Sequence, residues 1–129
     1  MRNTLITISL LITFCSTNSA QAQKAYDVIS YKAVLQGSTT SLQLADGYLL
    51  GSKVTIRSKY GNQVFVPSAN EPDRNGKLRF DPVKGTGKHK SKIGSWLIIS
   101  GLNGVDYPIH IKAVYWDGKI QTPIIFKQH

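Results

Sequence analysis

The stretch 109-IHIKAVYWDGKIQTPIIF-126 decides the fold class, because it reads as a β-hairpin folded about Asp117-Gly118. Asp-Gly suits a two-residue type I′ turn, in which both central residues take positive φ. Pairing the arms about that turn sets Trp116 opposite Lys119, Tyr115 opposite Ile120, Ala113 opposite Thr122, Ile111 opposite Ile124 and Ile109 opposite Phe126. Directly opposed residues share a face. Ile109, Ile111, Ala113, Tyr115, Ile120, Ile124 and Phe126 therefore form the expected inner surface. The outer face carries His110, Lys112, Val114 and Trp116 against Lys119, Gln121, Pro123 and Ile125.

Upstream, the chain keeps to short alternating segments. Tyr26 to Leu35 sets Tyr26, Val28 and Val34 on one face and Ile29, Tyr31, Ala33 and Leu35 on the other. Gly37 to Thr40 reads as a turn, Ser41 to Leu44 as a short strand, and Asp46-Gly47 as a second hairpin turn leading back through Tyr48, Leu49 and Leu50. That pairing makes odd positions face inward, whereas the next apolar residues, Val54 and Ile56, are even. A bulge or bend near Gly51-Ser52 is needed to restore the pattern.

Lys53 to Tyr60 alternates again, with a basic row of Lys53, Arg57 and Lys59 on its polar side. Gly61-Asn62 suits a type II′ turn that brings Phe65 opposite Ser58. Leu78 and Phe80 share a face of a strand closed by Asp81-Pro82. In Ile93 to Ser100, Trp96 and Ile98 oppose Ile93, Leu97 and Ile99. About eight short strands with close turns and no amphipathic helix predict an all-β fold, a small antiparallel sandwich or barrel. Pro123 cannot donate to a ladder, which points to an edge strand or a bulge and so favours the open sandwich.

The chain of 129 residues allows one domain. Arg2 precedes an apolar run, Leu5 to Phe14, and Ala20-Gln21-Ala22 is an A-x-A cleavage site, so residues 1–22 read as a signal peptide and 23–129 as the domain. The run is too short to span a bilayer, which needs about 20 apolar residues. The expected location is periplasmic or extracellular. Cys15 is the single cysteine and falls within the leader; Phe14 before it is too bulky for a lipoprotein site, so lipid anchoring is not expected. The exported domain would hold no disulfide and would rely on its core.

The chain has 16 Lys and Arg against 7 Asp and Glu. Loss of Arg2 with the leader leaves a balance of +8, which favours anionic partners: an anionic glycan, lipid headgroups or an acidic protein. Export argues against nucleic acid as the partner. Gly85-Thr86-Gly87-Lys88 resembles the end of a phosphate-binding loop, but Pro82 stands where its first glycine is required and His89 where Ser or Thr is required. His89, His110 and His129 have no metal-site spacing, and no cofactor or enzymatic constellation emerges.

Two binding surfaces remain. One is the outer face of the last hairpin, with His110, Lys112, Trp116, Lys119 and Gln121. The other is the basic loop with Lys88, His89, Lys90 and Lys92. The expected function is a non-enzymatic module that recognises an anionic or glycan partner through such residues. Two other readings are a lipocalin-like barrel carrying a small apolar ligand among Tyr26, Tyr31, Trp96 and Tyr115, and an inhibitor or assembly subunit working through an edge strand.

Overall fold

The computed structural model describes residues 26–58, 61–83 and 94–129. The expected leader, residues 1–22, and the basic loop, with Lys88, His89, Lys90 and Lys92, lie outside the described residues. Eight strands follow in order: β1 (Asp27–Leu35), β2 (Ser38–Asp46), β3 (Lys53–Ser58), β4 (Gly61–Pro67), β5 (Leu78–Pro82), β6 (Trp96–Ile99), β7 (His110–Trp116) and β8 (Gln121–Gln128). Each pairs antiparallel with the next, and β8 returns to β1, closing an up-and-down barrel. The open sandwich that Pro123 favoured is therefore not formed. Pro123 sits opposite Val114 in the β7–β8 ladder, while β8 meets β1 only at Tyr31↔Gln128 and Lys32↔Lys127. The proline thus lies on the stretch of β8 that its second neighbour does not pair.

An eight-stranded barrel is just wide enough for side chains to fill it, and here they do. Tyr31, Leu42, Leu44, Val54, Phe65, Phe80, Leu97, Ile99 and Phe126 have no exposed surface, and Leu78, Ile111, Ala113, Tyr115 and Ile124 have almost none. Phe65 and Tyr115 meet edge to face at 6.0 Å. Burial pushes the Tyr31 and Tyr115 phenols above their usual pKa, with smaller contributions from Tyr107 and Asp117 respectively. Tyr31 Oη donates to the Pro108 carbonyl at 2.9 Å, which satisfies its one polar atom at the barrel end.

The strand faces agree with the sequence pattern, while several registers do not. In the last hairpin Trp116 pairs with Gln121, Ala113 with Ile124 and Ile111 with Phe126. The pairing is displaced by two residues, which keeps the parity. Ile111, Ala113, Tyr115, Ile124 and Phe126 face inward, but Ile109 and Ile120 are 62% and 57% exposed. Asp117 to Ile120 form a longer loop in place of the type I′ turn. Asp117 Oδ1 accepts the amides of Lys119 (2.7 Å) and Ile120 (2.9 Å), an arrangement that holds the loop without positive φ at Asp117.

Gly118 does have positive φ, at +100°, and a Cβ there would meet nothing within 4 Å. Gly118→Val should therefore lose stability through the backbone alone, about 1–2 kcal/mol and a fall of roughly 5–15 °C in melting temperature. An unchanged melting curve would show that the loop rearranges freely.

The two-residue turn with both central φ positive is instead Gln36 (+50°) and Gly37 (+78°), between Leu35 and Ser38. Thr39 and Thr40, expected in a turn, already belong to β2. Asp46-Gly47 does not close a tight hairpin either. The chain makes a 3₁₀ turn at Leu49–Gly51 and re-enters as β3 with Leu42 opposite Val54. This turn makes the parity reset expected of a bulge, and the buried Ser52 Oγ accepts the Ala45 amide at 2.9 Å. Gly51 lets the Tyr26 ring approach closely, since a Cβ would fall 2.8 Å from Tyr26 Oη and push that ring aside.

Further on, Phe65 pairs with Val54 and not Ser58, because Ser58 pairs directly with Gly61. Asp81 and Pro82 are themselves the last two residues of β5, where Pro82 lies opposite Phe65, and the strand ends at this proline.

Candidate functional site

The outward positions of β5 to β8 gather the chemistry that the core excludes. β5 presents Arg79 and Asp81, β6 presents Trp96 and Ile98, β7 presents Val114 and Trp116, and β8 presents Gln121 and Pro123. The β6–β7 register sets Trp96 directly opposite Trp116. Their rings stack with centroids 6.2 Å apart and an interplanar angle of 23°. Both remain half-buried, so each indole keeps part of its surface open to solvent. The Arg79 guanidinium carbon lies 5.7 Å from the Trp96 ring centroid. Its Nε donates to Asp81 Oδ1 at 2.8 Å. Such an exposed ion pair stabilises the fold by at most about 1 kcal/mol, and its main effect is to orient Arg79 along the indole.

Gln121 stands directly opposite Trp116 on the other side. The outer row therefore runs from the Arg79–Asp81 pair across two indoles to an amide. Below it, an open groove of about 320 Å³ is bounded by Ser68, Glu71, Asp73, Lys77, Arg79 and Ile98. Asp73 Oδ1 is engaged by the amides of Asn75 and Lys77 at 2.9 Å each, which fixes the loop that walls the groove.

The last-hairpin residues separate into two groups. Trp116 and Gln121 are cross-strand partners, and Lys119 is exposed in the loop beside them. His110 lies six residues along β7 from Trp116, roughly 20 Å at the rise of an extended strand. It faces Lys127 and not the indoles. Lys112 lies between the two groups, opposite Ile125. Trp96, expected inside the barrel in the carrier reading, points outward. Tyr31 and Tyr115 are packed in the core, and Tyr26 packs against Tyr48 with ring centroids 5.7 Å apart.

Arg79, Asp81 and Trp96 were missing from the sequence-derived site. Alternation set Trp96 and Ile98 on one face, but only the β6–β7 pairing puts that face outside and beside Trp116. Among the described residues no group of three or more His, Cys, Asp or Glu could hold a metal ion, and no helix is long and apolar enough to cross a membrane. In comparison with known proteins, no family model, curated protein or solved structure matches the chain.

Proposed function

We propose that the chain is an exported, non-enzymatic binding module that takes a glycan on the Trp96–Trp116 platform. The observation that carries this reading is the stacked, half-exposed indole pair, flanked by planar polar side chains on both sides. An indole offers a rigid apolar face to the C–H surface of a sugar ring, and its ordering on binding loses little side-chain entropy. Arg79, Asp81 and Gln121 supply donors and acceptors at the edges, where hydroxyl groups of a stacked sugar would lie. The leader supports export to an envelope or extracellular space where glycans are met.

The chain has only two tryptophans, and both are in the site, so intrinsic tryptophan fluorescence reports on it directly. Titration with neutral and acidic oligosaccharides should give a saturable change in emission. Trp116→Ala should weaken binding about thirtyfold, corresponding to about 2 kcal/mol for an aromatic anchor, while far-UV dichroism is unchanged. A panel that leaves the emission unaltered, or a Trp116→Ala variant of undiminished affinity, would overturn the proposal.

A further inference from the structure

A different surface of the barrel gathers basic side chains. At the β8–β1 closure Lys127 stands opposite Lys32, and on its other side opposite His110. Three basic side chains thus form one outward row across β1, β8 and β7. Neighbouring strands are about 4.8 Å apart, so this is a compact basic row. All three residues are exposed, and among the described residues none is in an ion pair. Like charges placed directly opposite destabilise a sheet. The Lys32–Lys127 pair is moreover half of the β8–β1 ladder, where the barrel has least pairing to spare.

Two residues beyond Lys32 on β1 stands Val34, and two residues before Lys127 on β8 stands Ile125, with Lys112 opposite Ile125. Val34 is 74% exposed and Ile125 60% exposed. Single exposed aliphatic residues are ordinary. Two of them on adjacent strands, bordered by Lys32, Lys127 and Lys112, form an amphipathic patch. A hydrated polyanion would use the lysines and gain nothing from Val34 and Ile125. A surface of anionic lipid offers headgroup charge to the first and the acyl boundary to the second.

We infer that this seam docks the barrel peripherally on an anionic phospholipid surface, with Lys32, Lys127, His110 and Lys112 on the headgroups and Val34 and Ile125 at the interface. The indole platform lies on β5 and β6 and at the opposite ends of β7 and β8, so the inference stands apart from the glycan reading.

The test is co-sedimentation of protein recovered after export with vesicles of phosphatidylglycerol and phosphatidylcholine, and with phosphatidylcholine alone. Binding should need the anionic lipid and weaken as salt rises. Each of Lys32→Ala and Lys127→Ala should lower the partition coefficient about fivefold. Ile125→Ser, which leaves the charge unchanged, should lower it several-fold with no change in melting temperature. Arg74→Ala and Lys77→Ala, in the loop before β5, remove the same charge elsewhere and should have much smaller effects. Equal losses from both pairs of variants would overturn the inference, as would indifference to Ile125→Ser. Binding to heparin without binding to the vesicles would assign the patch to a soluble polyanion and would likewise overturn it.

Discussion

Replacing Ile111 by aspartate should leave a chain with no cooperative thermal transition. Ile111 is 1% exposed, pairs with Phe126 in the β7–β8 ladder and lies within the core. Removing a buried isoleucine already costs about 2–5 kcal/mol. An unpaired carboxyl in its place adds several more, even after it takes up a proton. The sum rivals the whole stability of a small domain, about 5–15 kcal/mol. The same change at the next residue, Lys112→Asp, falls on the outer face and should leave the barrel folded. Near-ultraviolet dichroism and thermal melts of the two variants test the strand face directly. A soluble Ile111→Asp protein with the melting temperature of the parent would refute it.

The second large effect is expected at Gly76, a buried glycine in the turn before β5. Its φ is +74°, and a Cβ there would fall 2.7 Å from the Asn103 side chain and 2.9 Å from the Asn103 backbone nitrogen. The Gly76 carbonyl also accepts the Leu102 amide at 3.0 Å, which holds Leu102 against the end of the core at 5% exposure. Gly76→Val would combine a β-branched residue at positive φ with displacement of the Leu102–Asn103 segment. A loss of about 3–5 kcal/mol is expected, from conformational strain and lost burial of Leu102. Measured in denaturant, it should clearly exceed the loss from Gly118→Val, where the added side chain meets open space. Equal losses would mean that the Asn103 contact carries no weight.

Alternation was legible wherever a strand buries one face. Val54 and Ile56, Leu78 and Phe80, Leu97 and Ile99, and Ile111, Ala113 and Tyr115 all point inward as their spacing implies. Register was less legible, because displacement by an even number of residues leaves every side chain on its own face. The β7–β8 and β3–β4 pairings differ from the expected ones in just that way. Turn chemistry misled where a side chain could hold a longer loop, as Asp117 does. At Gln36 the tight β1–β2 hairpin imposes a left-handed conformation on a residue that rarely adopts it. Closure into a barrel depends on β8 meeting β1, residues distant in sequence, and no local pattern encodes that meeting. Trp116 and Gln121 could be read together because they share a hairpin. Their association with Trp96, Arg79 and Asp81 crosses three strands and required the topology.

The brevity of the β8–β1 ladder bears on how the molecule assembles. Seven of its eight ladders join neighbours in sequence and can form through local loop closure, at modest entropic cost. The eighth joins Tyr31 and Lys32 to Lys127 and Gln128, the pairing most distant in sequence of the eight ladders. Contacts so distant in sequence slow folding, because their closure entropy is lost before the contacts repay it. The meander can therefore order hairpin by hairpin and close last. Once closed, this clasp is the one ladder whose local opening would expose two strand edges together while all seven sequential ladders stay intact.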